Sequence, residues 1–254
     1  MGTASSVRIG SRWPWFVDYG NWLFKYRNTV FPLVMLALFL GFRPRLAGGS
    51  LANDLWIDLL GFAVALAGQA LRAAVIGYAY IKRGGLNKKV HADRLVTEGF
   101  FAHARNPLYN GNLLILAGLF IIHNSPWVYL IGGVYFLIAY LAIVAAEETF
   151  LSGRFGEEYA AYCARVNRWW PRLRGLHATM QGMAFNWRRV LVKDYASACT
   201  WMIMALLLIG YERVVYGPGR AGRVEWVLLG MAIMTLVALA VLVSVLKKRR
   251  ILRE

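Results

Sequence analysis

Little in this chain invites metal or redox chemistry. Its two cysteines, Cys163 and Cys199, have no partner spacing for zinc or haem, which leaves them as reduced packing residues. The four histidines (His91, His103, His123 and His177) form no i, i+4 pair and no H-E-x-x-H, so a metal site built on them is not expected. No G-x-G-x-x-G follows a strand pattern, and neither a Walker loop nor a G-x-S-x-G elbow occurs. Their absence excludes a soluble-type methyltransferase or dehydrogenase domain, though not a cofactor. Acidic residues are scarce, 13 against 29 lysines and arginines, for a net charge of +16. In a soluble protein that balance would suggest nucleic acid, yet no aromatic–basic motif of a nucleic-acid-binding module appears. A long apolar run is missing from Met1 to Asn28, so no cleavable leader is expected there. The opening "MGTASS" fits the loose myristoylation pattern, but an anchor would add nothing to a chain with several spanning segments.

What the chain has in quantity is apolar surface. Hydrophobic residues make up 59% of its 254 positions, and the mean hydropathy is +0.47. Lipid is the solvent such a composition calls for. The positive charge then belongs to basic loops facing an anionic leaflet. Apolar runs fall at about 29–42, 55–81, 107–123, 126–146, 196–211 and 224–246. The second, fourth and sixth are long enough to cross about 30 Å of hydrocarbon. Aromatic flanks must complete the first (Trp22, Phe24) and the fifth (Trp201, Tyr211, Tyr216). Between the third and fourth, His123-Asn124-Ser125-Pro126 leaves room only for a very short turn, which predicts a helical hairpin. The expected fold is therefore all-α and polytopic, with about six transmembrane helices. Its organisation reads as residues 1–54, an N-terminal interfacial segment and first span; 55–175, a core; and 176–254, an interfacial segment with two further spans.

Basic residues alternate along this pattern. The N-terminus carries four, the 81–106 loop six, the 147–195 segment eight and the tail after 246 five. The opposite loops carry five (Arg43, Arg45, Arg213, Arg220, Arg223), and Arg72 alone lies inside a span. That bias predicts both termini in the cytoplasm, in a multi-pass protein of a bacterial inner membrane or the endoplasmic reticulum. It also puts the polar segments before and after the hairpin on one side of the membrane. Both are richer than connectors need to be, mixing aromatics, glycines and charges of both signs. A solvated interfacial helix accounts for the Glu–Arg spacings of 157–168.

The hairpin is framed by five motifs. Before it stand Leu95-Val96-Thr97-Glu98-Gly99-Phe100-Phe101 and Arg105-Asn106-Pro107-Leu108-Tyr109-Asn110-Gly111. After it come Glu147-Glu148-Thr149-Phe150-Leu151, Phe155-Gly156-Glu157-Glu158-Tyr159-Ala160-Ala161-Tyr162 and Arg168-Trp169-Trp170-Pro171. In order and spacing they resemble the integral-membrane S-adenosylmethionine-dependent methyltransferases of the isoprenylcysteine carboxyl methyltransferase and phospholipid methyltransferase type. The resemblance covers about residues 60–173. It implies a cofactor, S-adenosyl-L-methionine, held at the cytoplasmic membrane surface by Leu95, Val96, Phe101, Arg105, Asn106, Pro107, Leu108, Tyr109 and Glu147.

Chemistry agrees with those assignments. Helix-start N–H groups and Arg105 suit an α-carboxylate. Glu147 suits ribose hydroxyls or an ammonium, and the faces of Tyr109 and Phe101 suit adenine or a sulfonium. Arg72, Glu148 and Arg168 form the candidate catalytic set. Arg72 lies deep in its span, with Gln69 one turn away, where a charge usually faces a cavity or a partner. Two positions depart from the family. Asn106 stands where His is usual, which removes a proton-accepting imidazole but keeps a hydrogen-bonding group. Ile143 stands where the prenylcysteine enzymes carry an Arg, which removes a partner for an acceptor carboxylate. The acceptor implied is lipid-like and amphipathic, drawn from the bilayer, with no nucleic acid involved and the oligomeric state left open. The alternatives are an NAD(P)H-dependent membrane reductase of the sterol reductase type and a non-catalytic membrane scaffold or transporter.

The charge alternation is testable by single-cysteine labelling in sealed vesicles. Lys88, Arg165 and Lys248 positions should label from the cytoplasmic side, and Gly49, Asn124 and Gly219 from the other. Cytoplasmic labelling at Asn124 would undo the hairpin and the meeting of the two polar segments.

Overall fold

The structure, a computed structural model, describes residues 13–78, 90–217 and 222–252. Lys88 and Gly219, the Gly84-Gly85 turn and the "MGTASS" start lie outside the described residues. Seven α-helices are present and no strand among the described residues: α1 (Pro14–Gly41), α2 (Leu51–Tyr78), α3 (Pro107–His123), α4 (Gly133–Arg165), α5 (Leu176–Gln181), α6 (Trp187–Tyr216) and α7 (Arg223–Lys248). Five are long and apolar enough to cross a membrane, and the 17-residue α3 is a shorter apolar helix. These correspond one for one to the six apolar runs, so the all-α polytopic expectation is borne out.

The helices differ from the runs mainly at their starts. The aromatic stretch 14–28 is continuous with the first apolar run, giving a 28-residue α1 that carries Pro32 inside it. Likewise α6 begins at Trp187, where the Asn186 side chain accepts from the Arg189 N–H at 3.0 Å and caps the helix. At 30 residues it spans without needing Trp201 as a flank to complete it. That indole is 4% exposed and donates to Gln69 Oε1 at 3.1 Å. In α7 no residue is buried, and Val224, Leu228, Met231, Met234 and Val241 all stand exposed. A helix apolar all round belongs in lipid.

Two compact units make up the chain. The first comprises the described residues of Met1–Ala37, Tyr78–Asn110 and Ile131–Ala184, and the second those of Leu38–Gly77, Gly111–Leu130 and Phe185–Glu254.

In the first unit, α1 lies against α4. Leu23 and Phe24 pack on Ala139, Ala142 and Ile143. Gly20 lets the backbones meet, since a Cβ there would come within 2.0 Å of the Ala142 carbonyl oxygen. Far along α4, Gly156 adopts φ 48° and ψ −117° and breaks the helix in the middle of the Phe155-Gly156 motif. Only glycine takes that conformation without steric cost. The break redirects the last two turns, so that Tyr159, Tyr162 and Val166 pack with Leu95, Leu151, Phe155 and Cys163.

In the second unit, α2 and α3 are joined by a seam of glycines seven residues apart. A Cβ on Gly118 would meet the Gly61 carbonyl oxygen at 2.4 Å, and one on Gly68 would meet the Gly111 carbonyl oxygen at 2.6 Å. This is the small-residue contact that membrane helices use where the hydrophobic effect cannot drive association. The expected short turn after α3 consists of Asn124 and Ser125. Asn124, at φ 51°, donates through Nδ2 to the Arg45 carbonyl at 3.0 Å, and the buried His123 ring meets the Phe39 and Phe42 carbonyls.

Gly156→Ala should lower stability by about 1–2 kcal/mol, because the position needs positive φ, although no atom within 4 Å would obstruct the added methyl. Gly153→Ala, in the same helix and equally open, should be neutral or slightly stabilising. Thermal unfolding in detergent measures both, and equal effects would mean that the break is not a constraint.

Candidate functional site

The site forms in the first unit, where the polar segment before α3 meets the end of α4. Pro107 opens α3, and the N–H groups of Tyr109 and Asn110 both go to the Asn106 carbonyl at 3.1 Å. The first turn is thus partly closed on its own backbone and offers an anion fewer free donors than the sequence suggested. Instead of capping, the Asn106 side chain donates to the Arg168 carbonyl at 3.0 Å, and Asn110 donates to the Trp169 carbonyl at 2.7 Å. Backbone bonds extend the contact, from Arg105 N–H to the Asn167 carbonyl (2.9 Å) and from Arg172 N–H to the His103 carbonyl (3.0 Å). His103 completes it with Nδ1 to the Arg172 carbonyl at 2.6 Å and Nε2 to Thr179 Oγ1 at 3.0 Å. The closing Arg168–Pro171 stretch is therefore laced to the pre-helical segment.

Glu148 sits at the centre of this lacing, 6% exposed. Arg105 Nη1 reaches its Oε1 at 3.0 Å, Arg168 Nε donates to the same oxygen at 3.1 Å, and Arg168 Nη2 lies 2.8 Å from Oε2. Burial alone would lower the pKa of Arg105, but Glu148, Cys163 and Tyr159 together outweigh it and hold that guanidinium above the ordinary arginine value. A carboxylate held between two guanidinium groups is a fastening, and its charge is already satisfied.

Glu147 is differently placed. Neighbours on a helix point about 100° apart, so Glu147 leaves the clamp and meets Tyr109, whose hydroxyl donates to Oε1 at 2.7 Å. Behind Tyr109, Arg27 of α1 donates from Nη1 to the same hydroxyl at 3.1 Å. The Tyr109 ring lies 5.3 Å from that of Tyr140 and packs on the α1–α4 core.

These elements wall a cavity of about 320 Å³. Its lining combines Val90–Val96 and Phe101 with Arg105, Asn106, Glu147, Glu148, Leu151, Tyr159 and Tyr162. The Tyr162 hydroxyl holds the Phe101 carbonyl at 2.7 Å. Seven of the twelve residues singled out in the sequence line this cavity: Leu95, Val96, Phe101, Arg105, Asn106, Glu147 and Glu148. Pro107, Leu108, Tyr109 and Arg168 are not in the lining. Tyr109 acts from behind Glu147, and Arg168 acts on Glu148.

Arg72 lies in the second unit, 2% exposed, and gives its guanidinium to Asp194 and Asn112. Gln69 donates to the other Asp194 oxygen at 2.8 Å. With Asp194 as counter-ion, the burial of Arg72 is accounted for without any charge on an acceptor.

Sequence reasoning missed Arg27, which had been counted as a basic residue of the N-terminal tail. It also passed over Val90–Arg94, Leu151, Tyr159 and Tyr162. The Y-x-x-Y spacing after Gly156 was a usable signal for the two tyrosines. For Arg27 there was none.

Residues 57–158 match the family model described as Phospholipid methyltransferase. That range takes in both the pre-helical segment and the Glu147-Glu148 pair, and the resemblance read from the motifs is borne out. The cobalt-zinc-cadmium resistance protein CzcN of Cupriavidus metallidurans is similar to this chain, 29% identical over 153 residues that cover 60% of the chain and 67% of that protein. No solved structure matches the chain.

Removing the shared carboxylate should be costly. Glu148→Gln leaves two buried guanidinium groups without their counter-charge and should lower stability by about 3–5 kcal/mol. Glu98→Gln breaks an exposed pair with Arg94 and should cost less than about 1 kcal/mol. Denaturant or thermal unfolding of the two variants side by side checks the contrast.

Proposed function

We propose, taking the family match as premise, that the chain transfers a methyl group from S-adenosylmethionine to an amphipathic, lipid-like acceptor supplied by the bilayer. The observation that carries this reading is the composition of the cavity wall, which pairs an apolar and aromatic side with a carboxylate braced from behind. Leu95, Val96, Phe101 and Leu151 suit the flat adenine. Glu147, kept in place by Tyr109 and Arg27, suits a ribose hydroxyl or the amino-acid ammonium. Arg94, exposed at the rim, is a cation within reach of a carboxylate. A cavity of about 320 Å³ lies within the range of small-molecule sites.

When bound, S-adenosylmethionine supplies a methyl carbon on a sulfonium, open to direct displacement by an oxygen or nitrogen. Such a displacement needs alignment and exclusion of water more than an acid–base pair. Asn106 in place of histidine is compatible with that requirement. Its amide serves the lacing that closes the wall, and no proton transfer is asked of it. Glu148 and Arg168 act here as positioning residues, because their charges are spent on one another. The acceptor is amphipathic because six apolar helices leave lipid as the surrounding phase, while the cavity wall carries charged groups such as Arg105, Glu147 and Glu148.

Equilibrium binding by the detergent-purified protein tests this reading. S-adenosylmethionine or S-adenosylhomocysteine should bind in the micromolar range, about −8 kcal/mol, and NADPH should not. Glu147→Gln should weaken binding by about 1–3 kcal/mol with the fold intact. Glu157→Gln, on the exposed face of α4, should leave it unchanged. NADPH binding without S-adenosylmethionine binding would favour a reductase. Equal effects of the two substitutions would show that Glu147 is only part of a charged helix face.

A further inference from the structure

The second unit buries three carboxylates in one place. Asp54 and Asp58 lie one turn apart near the start of α2, and Glu212 lies one turn before the end of α6. One oxygen from each falls within 4.8 Å of the others. Their side chains are almost wholly enclosed, with 1%, 5% and 2% of their surface exposed.

A second observation is independent of the clustering. Asp54 Oδ2, Asp58 Oδ1 and Glu212 Oε1 are buried and receive no hydrogen bond from any described residue. The other oxygen of Asp54 is occupied by the Ala47 N–H at 2.9 Å. Arg213 is a cation whose field reaches Asp58 and Glu212. Three buried carboxyl groups with unpartnered oxygens are strongly unfavourable unless a cation or bound protons compensate them.

We propose that Asp54, Asp58 and Glu212 form a site for a hard divalent cation of the calcium or manganese kind. All the ligand atoms are carboxylate oxygens, the donor set such ions prefer. The three oxygens lie within 4.8 Å of one another, close enough for one ion to touch them all. The three residues lie within about two turns of their helix ends, and water completes the coordination. Its effect is mechanical, since the ion joins the start of α2 to the end of α6. The proposal does not rest on methyl transfer.

Full-length protein in detergent, stripped with a chelator and titrated with Mn²⁺ while free Mn²⁺ is followed by electron paramagnetic resonance, tests it. About one Mn²⁺ per chain should bind, with a dissociation constant of about 1–100 micromolar. Ca²⁺ should compete, and Mg²⁺ should do so at least about tenfold less well. The Asp58→Asn/Glu212→Gln double variant should bind at least about 30-fold more weakly while keeping its helical circular dichroism. Asp54 is left intact because it also holds Ala47. Absence of Mn²⁺ binding, or equal binding by the double variant, overturns the proposal in favour of carboxyls that share a proton. If the variant fails to fold, the wild-type unfolding temperature decides. It must rise with Mn²⁺ and not with Mg²⁺ at the same ionic strength, and no difference overturns the proposal equally.

Discussion

The first unit depends on one shared carboxylate. Glu148 draws Arg105 from before α3 and Arg168 from after α4 to a single buried point. Without it, two guanidinium groups would be enclosed with no counter-charge, and the segments carrying them would gain by separating. With it, Asn106, Asn110 and His103 can make their bonds to the closing stretch, because the backbones have already been brought within reach. The cavity wall is a consequence of this assembly. Loop residues such as Leu95 and Val96 have no helix to fix them, so they hold their places only while the clamp holds the segments around them.

The two adjacent glutamates show how one helix serves two purposes. Glu148 has its charge paired with two guanidinium groups and gives rigidity. Its neighbour, turned about 100° away, keeps a carboxylate at the cavity with a single donor from Tyr109. A ligand that must exchange rapidly needs the second kind of group, whose remaining capacity to accept is not already used.

The helices were legible because lipid demands long apolar runs and tolerates little else. Motif spacing carried the site, since Arg105, Glu147 and Glu148 each fall in a short pattern. What escaped were contacts with no local signature. Arg27 lies 82 residues from Tyr109, and a charge in the aromatic half of α1 looks like any other basic residue near a membrane surface. Arg72 announced that it needed a partner, but nothing in the sequence indicated Asp194, 122 residues further on. Trp201 read as a flank that completes a span because composition does not reveal the buried glutamine its indole bonds. Gly156 stood inside a recognised motif, yet its spacing gave no sign that it bends the helix and turns two tyrosines toward the cavity.

The glycine seam between α2 and α3 bears on traffic within the bilayer. Where a single added methyl would collide with backbone at 2.4–2.6 Å, a fatty chain of ordinary thickness finds no crevice to slip into. That flank of the second unit is sealed against lipids for as long as the two helices remain in contact. A hydrophobic tail must find some other helix pair, one whose contact is made by side chains that can rotate aside. This close seam therefore acts as a wall, and it narrows the routes by which anything dissolved in the membrane can arrive.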